Sequence, residues 1–374
     1  MKITIEKSAL FKALNHVQSV VERRTTIPIL ANVLIEEVHD GLKLTATDLD
    51  IEVVEHIDAT STNAAAITVP ASILYDIVRK MPDGAQIQME LDQDQGRLFV
   101  HSNRSRFTLP TLPPQDFPSL SVGEFDARFD MPVEHLIDLI DGTKFAISTE
   151  ETRYYLNGIY LHAMAANDQD CLRAVATDGH RLARLEIAAP AGSEAMPSVI
   201  VPRKAILEVR RLLDSTEGTV RVEVSRSRIR FTLSTTVLTS KLIDGSFPDY
   251  ERVIPADNDK QLVLDCESFS RAVDRVSTIA TEKSRAVKMN LEGENLTLTV
   301  VNPDTGTAAE ELVVSYADEP LEIGFNSRYL LDVMAQIKGS EARLLLKDSA
   351  SPTIISDAKE ETQSALYVLM PMRV

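Results

Sequence analysis

The chain has 374 residues, 44% of them hydrophobic and 25% charged, and its 56 acidic side chains outnumber 39 basic ones for a net charge of −17. That length exceeds one ordinary core and calls for two or three domains, and the composition excludes a disordered polymer. So acidic a balance excludes indiscriminate coating of nucleic acid, two cysteines (Cys171 and Cys266) exclude a disulfide framework and point to a reducing compartment, and no apolar run approaches a membrane span.

In chain order, Met1–Glu6 alternates like a strand and does not read as a signal peptide. Apolar residues at helical spacing predict a helix over Ser8–Val21, and Leu42–Asp48 then reads as a strand. A second helix is predicted over Ala71–Met81, directly after Val69-Pro70, with Ile73, Leu74, Ile77, Val78 and Met81 on one face. Strand alternation follows at Ala85–Leu91, then Arg106–Leu109, and Asp116-Phe117-Pro118 closes the segment.

The same order returns twice. First helices are predicted at Pro132–Phe145 and Ser268–Ala280, and second helices at Arg203–Leu213 (after Val201-Pro202) and Ser327–Ile337 (after Phe325-Asn326). The second helices share an acid: Asp76 and Glu208 lie 132 residues apart, and Glu208 and Asp332 lie 124 apart. Strands follow them at Thr219–Val224 and Ala342–Leu346, and Leu296–Val300 matches Leu42–Asp48. Arg230–Leu233 reads as the counterpart of Arg106–Leu109, and Ser246-Phe247-Pro248-Asp249 as that of Asp116-Phe117-Pro118. Repetition at near-constant offset predicts three α+β domains, 1–122, 123–250 and 251–374, with boundaries at the links holding Pro113, Pro114 and Pro118, then Pro248 and Pro255. The six helical windows, taken with a few flanking residues, sum to +4 and leave −21 for the rest of the chain. Helical charges of this kind serve equally as solvated faces or as a mildly positive lining for phosphates.

The most informative stretch is Ala176-Thr177-Asp178-Gly179-His180-Arg181-Leu182-Ala183-Arg184, which follows the alternating run Cys171–Val175. It reads as a strand entering a tight Asp-Gly turn, and Asp178 sits 130 residues after Asp48. Asp and His two residues apart also suit a hydrolase. Against that, the chain has no Gly-x-Ser-x-Gly elbow, no metal-ligand spacing among its seven histidines and no phosphate-binding Gly-Lys-Ser/Thr loop. These absences disfavour a catalytic residue, a metal or a cofactor. The residues alone leave open a hydrolase using Asp178 and His180 and an acidic scaffold that binds proteins without DNA.

Ala176–Ala183 resembles the central signature of the bacterial DNA polymerase III β sliding-clamp family. Arg153-Tyr154-Tyr155-Leu156-Asn157-Gly158, Val201-Pro202-Arg203-Lys204, Ser240–Tyr250 and Tyr367–Val374 resemble further blocks of it in the same order. The resemblance runs from Met1 to Val374 and is specific in combination. It implies three repeated clamp domains with helices inside and sheets outside, joined as a head-to-tail homodimer into a six-domain ring. Such a ring is a non-enzymatic processivity factor that encircles double-stranded DNA and tethers the polymerase III catalytic subunit. Loading by an ATP-driven clamp loader, other polymerases and repair proteins as partners through short motifs, and a cytoplasmic location are implied too.

Residue by residue, the resemblance implies a partner-peptide site at Tyr155, Leu156, Thr177, Gly179, His180, Arg181, Leu182, Pro248, Arg252, Val253, Asn326, Tyr329, Met370, Pro371, Met372 and Arg373. Leu182, Val253, Met370 and Met372 would supply soft apolar walls, and His180 and Arg181 would orient the peptide. DNA contacts are implied at Arg24, Tyr154, Arg203 and Lys204. Glu150 stands where some relatives have Gln, and Ser284 where one has Phe at the cleft rim. At the ring closure, Phe107 and Leu109 would meet Ile279 of the second copy, with Arg97, Arg104 and Arg106 facing Asp304, Glu310 and Glu311.

Overall fold

A computed structural model describes residues 2–22, 25–39, 41–61, 65–92, 96–120, 123–166, 169–281, 285–360 and 364–373. Arg24 and Ser284 lie outside the described residues. The first third runs β1 (Lys2–Glu6), α1 (Lys7–Val17), β2 (Asn32–Val38), β3 (Gly41–Thr47), β4 (Ile51–Ile57), β5 (Thr60–Ser61), β6 (Ala66–Pro70), α2 (Ala71–Arg79), β7 (Gln86–Asp92), β8 (Arg97–Ser102) and β9 (Ser105–Pro110). The middle third runs β10 (Ala127–Pro132), α3 (Val133–Lys144), β11 (Gly158–Ala166), β12 (Gln169–Thr177), β13 (Arg181–Ala188), β14 (Val199–Pro202), α4 (Arg203–Leu213), β15 (Thr219–Val224), β16 (Arg228–Leu233) and β17 (Thr236–Lys241). The last third runs β18 (Lys260–Asp265), α5 (Cys266–Ser277), β19 (Ala286–Glu292), β20 (Asn295–Asn302), β21 (Gly306–Val313), β22 (Ser315–Tyr316), β23 (Leu321–Asn326), α6 (Ser327–Met334), β24 (Glu341–Leu346), β25 (Thr353–Asp357) and β26 (Ala365–Leu369).

All six expected helices form, because each carries an apolar stripe at helical spacing. On α1 the stripe is Leu10, Ala13, Leu14 and Val17, and on α5 it is Phe269, Ala272, Val273 and Val276, all buried. Both helices begin before the expected start and end about a turn before the expected stop.

The described chain forms two compact units, one of Met1–Glu134, Pro190–Pro197 and Lys204–Leu242, the other of His135–Ala189, Ser198–Arg203 and Ile243–Val374. The first holds a five-stranded sheet, β5-β1-β7-β8-β9, and an eight-stranded sheet, β10-β15-β16-β17-β4-β3-β2-β6. The second holds a nine-stranded sheet, β14-β11-β12-β13-β26-β25-β24-β18-β22, and a four-stranded sheet, β21-β20-β19-β23.

The two large sheets are each built from halves contributed by successive thirds of the chain. In the first unit Leu238 of β17 faces Val53 of β4, and Val53 faces Ala46 of β3. In the second, Tyr367 of β26 faces Ala183 of β13, and Ala183 faces Ala176 of β12. Ala46 and Ala176 each stand two residues before an aspartate, Asp48 or Asp178, that accepts the N–H two residues on. In both joints the last strand of one third therefore pairs with the third strand of the core sheet before it, in one register.

Two strands of this kind lie at sheet edges. β9 is the counterpart of β17, since Val100 faces Phe107 as Phe231 faces Leu238. β21 is the counterpart of β4 and β13: Ala308 faces Val300, two residues before Asn302, whose Oδ1 accepts the Asp304 N–H. This corrects one equivalence expected from the sequence. Arg106–Leu109 lies on β9 and Arg230–Leu233 on β16, which matches β8; neighbouring strands share one alternation, so pattern alone does not separate them.

The joint inside the first unit is closed by a buried polar cluster. Glu55 Oε2 lies 2.9 Å from His16 Nδ1 and accepts the Thr236 hydroxyl, and Glu55 Oε1 accepts that of Thr235 at 2.7 Å. Burial alone would raise the Glu55 carboxyl, but the hydrogen bonds from His16, Thr236 and Thr235 outweigh it and hold the group below its ordinary value. A carboxyl depressed on folding contributes stability above its unfolded value and loses it as pH falls through the folded value. Glu55→Gln should therefore flatten the acid limb: between about pH 5 and pH 3 the variant loses less stability than the parent in urea melts. Equal losses would mean that this cluster does not couple to protonation.

Candidate functional site

The central signature folds as expected into the turn joining β12 to β13. Asp178 Oδ1 accepts the N–H groups of His180 (2.9 Å) and Arg181 (3.0 Å). Thr177 Oγ1 accepts from the Gly179 N–H at 3.1 Å and donates to the Arg181 carbonyl at 2.7 Å. Gly179 has φ +87°, a left-handed backbone that favours glycine, and a Cβ there would lie 2.6 Å from Arg153 Nη1 and push that flexible side chain aside. His180 is exposed, as a turn residue should be, and only its backbone takes part in these bonds.

Arg181 differs from expectation. It is 8% exposed and its guanidinium is committed inward, to Asp178 Oδ2 (3.1 Å), Asp332 Oδ2 (2.6 Å) and the Phe145 carbonyl (2.5 Å). It also lies over the Tyr329 ring at 4.2 Å. A guanidinium so engaged is a strut under the surface and is not free to orient a peptide. In the sequence Asp332 is only an acid repeated on the second helices; in the structure it anchors α6 to the turn through Arg181.

Around this strut the structure gathers most of the nominated peptide residues within the second unit. The chain after β26 is held at both ends: the Met370 N–H donates to the His180 carbonyl at 2.9 Å, and the Met372 N–H to the Gly324 carbonyl at 2.8 Å. Beneath lies an apolar cluster of Val175, Leu182, Tyr250, Ile354, Leu366 and Val368, with Tyr160, Phe247, Ile254 and Leu345 against it. Leu182 (2% exposed) belongs to this floor and Leu156 (4%) is buried outside the cluster, whereas Val253 (51%) and Met370 (41%) are surface. Pro248, Arg252 and Val253 flank Tyr250, whose hydroxyl fixes their segment. Arg252 extends outward beside Asp249, and Asn326 is spent on capping α6 through the Arg328 N–H.

Composition gave no signal for the polar support of this floor. Arg173, buried within an apolar strand, donates to Tyr250 Oη (2.8 Å), Glu186 (2.9 Å) and Glu251 (3.0 Å). Burial opposes its charge, but the Tyr250 and Glu186 hydrogen bonds outweigh that and strengthen its hold on the proton. His162 Nε2 stands 3.1 Å from the same hydroxyl, and burial beside the Arg173 charge lowers its pKa, favouring the neutral ring.

A cavity of about 430 Å³ lies elsewhere in this unit, against Gly142, Leu185, Gln336, Lys338, Asp357 and Tyr367. It occupies the repeat position of a cavity of about 360 Å³ in the first unit, lined by Lys12, His16, Asp214 and Thr236.

Of the nominated DNA residues, Tyr154, Arg203 and Lys204 are exposed. Tyr154 is 54% exposed and meets Tyr155 edge-on at 5.8 Å, above Gly245. Arg203 opens α4, its N–H bonded to the Asn157 carbonyl at 2.9 Å. Lys204 is paired with Asp48 and stands 3.9 Å from Glu22, and Glu150 is held by Arg153 at 2.9 Å. At the edges, Arg97, Arg104 and Arg106 are exposed, Phe107 is half-buried and Leu109 is buried. Glu310 is already bonded to Arg275 Nε at 3.0 Å, Asp304 and Glu311 are exposed, and the Ile279 carbonyl accepts from Asn302 at 2.8 Å.

Three family models match the chain in order: the DNA polymerase III beta subunit N-terminal domain over residues 1–121, its central domain over 130–249 and its C-terminal domain over 251–373. The chain belongs to the DNA polymerase III beta subunit family. It is 53% identical to the beta sliding clamp of Caulobacter vibrioides over 374 residues and 40% identical to that of Escherichia coli K12 over 377, covering 100% of both proteins in each case. Among solved structures, a sliding clamp from Bartonella birtlesii bound to griselimycin superposes with a TM-score of 0.97 at 50% identity, with 100% of each chain covered. A Caulobacter crescentus pol III beta structure gives 0.95 at 53%, again over 100% of each chain. The family is a non-catalytic processivity factor of DNA polymerase, and that is the function of this chain. Among the described residues no helix is long and apolar enough to cross a membrane.

The Arg181 strut yields a direct test. Arg181→Ala strands Asp332 and Asp178 beneath the surface and should lower stability by about 3 kcal/mol, whereas His180→Ala should stay within about 0.5 kcal/mol. Urea denaturation of both variants checks this. Similar small effects would mean that the guanidinium holds nothing.

Proposed function

We propose that this chain works as a closed ring of two copies joined head to tail, each contributing three domains (1–122, 123–250 and 251–374), threaded by double-stranded DNA. The observation that carries the reading is the pair of complementary open edges. Of the β17-type strands, β17 and β26 are each paired with a β4-type strand, while among the described residues β9 and β21 have no such neighbour. A second copy can supply β21 to β9 and receive β9 on β21, and two such heterologous contacts related by a twofold axis close a ring that leaves neither β9 nor β21 open. Phe107, Leu109, Arg97, Arg104 and Arg106 would lie on one side, and Ile279, Asp304 and Glu311 on the other. Glu310 would join only by sharing its carboxylate with Arg275.

Inside such a ring Tyr154, Arg203 and Lys204, together with Arg24, would approach backbone phosphates. These contacts carry no sequence information, and the net charge of −17 disfavours tight binding elsewhere, which suits sliding. The exposed Val253 and Met370 and the half-buried Met372 offer an adaptable apolar surface to a short peptide motif. We assign to it the polymerase III catalytic subunit, the clamp loader, and other polymerases and repair proteins. The Caulobacter crescentus relative has a region termed a putative beta-motif tethering region, and this surface is the candidate for it here. Processivity then comes from effective concentration, since a polymerase that releases the primer end rebinds before it diffuses away. The site of action is the cytoplasm.

Retention on nicked circular DNA, after loading with a cognate loader and ATP, tests the reading. Retention on circles with rapid loss after linearisation is expected. Equal retention on circular and linear DNA would replace the topological link with ordinary binding.

A further inference from the structure

The joint inside the first unit is made of more than strand pairing. On α4, Glu208 and Arg211 form a fork that grips the end of α1. Arg211 donates to the carbonyls of Asn15 (3.0 Å) and His16 (2.8 Å) and to Ser19 Oγ (2.5 Å). The Ser19 hydroxyl in turn donates to Glu208 Oε2 at 2.7 Å, and Arg211 Nη2 stands 3.1 Å from the same oxygen. The last carbonyls of α1 have no partner within their own helix, and a guanidinium at that end satisfies them and complements the helix dipole.

The first third of the chain carries the same fork with nothing in it. Arg79 is the ninth residue of α2 as Arg211 is of α4, and Asp76 matches Glu208. Asp76 and Arg79 are already paired at 3.0 Å, but their side chains are 54% and 53% exposed, against 14% and 32% for Glu208 and Arg211. The matching helix end is equally recognisable. α5 corresponds to α1, since Lys7 N–H bonds Ala85 O and Cys266 N–H bonds Ser340 O, each at 2.9 Å, at the start of the helix. Counting from those starts, Asn15, His16 and Ser19 correspond to Asp274, Arg275 and Thr278, and the Arg275–Glu310 pair stands where His16–Glu55 does. Asp274, Arg275 and Thr278 are exposed.

We propose that Asp76 and Arg79 form a docking fork for the end of α5 in a second copy of this chain. Arg79 donates to the main-chain carbonyls of the partner's Asp274 and the partner's Arg275, and Asp76 accepts the hydroxyl of the partner's Thr278. The inference rests on the head-to-tail reading above and adds a helix-to-helix clasp to its strand pairing. None of these residues belongs to the β9 and β21 edges, so the clasp and the edge pairing can be broken separately.

The test is the dimer dissociation constant of the full chain, by sedimentation equilibrium, for the parent, Arg79→Ala, Arg79→Lys, Thr278→Ala, the Arg79→Ala/Thr278→Ala double variant and Phe107→Asp. Arg79 is exposed, so its variants should keep the parent's fold, read as an unchanged circular dichroism spectrum. Arg79→Ala should raise the dissociation constant about ten-fold or more, and Arg79→Lys should raise it too because a point charge cannot fork two carbonyls. Thr278→Ala should add little once Arg79 is gone, since both act in one contact. If Phe107→Asp breaks the dimer while Arg79→Ala leaves the constant within two-fold, the clasp is wrong and the head-to-tail reading stands. If the parent is monomeric throughout, or Phe107→Asp has no effect, both fall.

Discussion

A strand at the edge of a sheet exposes a row of backbone donors and acceptors, and this fold depends on how those rows are satisfied. Within the chain the answer is uniform: β17 lies on β4 and β26 lies on β13. Leu238 and Tyr367 occupy the same rung of the two ladders, facing Val53 and Ala183. One rule of pairing, repeated, makes each large sheet continuous across two thirds of the chain. It leaves β9 and β21 as complementary ends.

The repeated turn beside these joints shows how one frame takes on different tasks. Asp48, Asp178 and Asn302 all hold a turn by accepting a backbone N–H two residues ahead. Around Asp48 the neighbour is Lys204, which ties the start of α4 to the first third. Around Asp178 the neighbours are Arg153, Arg181 and Asp332, and the backbone they fix carries Met370 on the His180 carbonyl. The exposed Met370 therefore stands on a polar, hydrogen-bonded support, and the exposed Val253 follows Tyr250, which Arg173 holds in place. Such a support keeps an apolar recognition surface open without letting it collapse into the core.

Much of this was legible in the sequence, because periodicity and turn chemistry are local. The six helices follow from stripes such as Leu10, Ala13, Leu14 and Val17, and the Thr-Asp-Gly turn from its own residue types. The joints were not legible, since an antiparallel partner such as Val53 for Leu238 is chosen across the whole chain and leaves no pattern in either strand. The same limit explains why Arg106–Leu109 was matched to Arg230–Leu233: adjacent strands share an alternation, and only the hairpin register tells them apart. Arg181 was legible as a site residue but not as a buried one, because a surface arginine and a strut read alike until Asp332 and Phe145 are placed around it. The hold of Arg173 on Tyr250 was invisible for the opposite reason, a charge hidden in an apolar run.

The central claim is that β9 pairs with β21 of a second copy in the register already used twice. That register sets Phe107 opposite Ala308, as Leu238 faces Val53 and Tyr367 faces Ala183. The direct measurement is disulfide formation in the Phe107→Cys/Ala308→Cys variant under mild oxidation, beside a Phe107→Cys/Ala309→Cys control one residue out of register. The account predicts a covalently closed dimer, resistant to denaturing electrophoresis until reduced, from the first pair and little from the second, because facing Cβ atoms lie within bridging distance and shifted ones point to opposite faces. Equal linking of both pairs, or of neither, would contradict it.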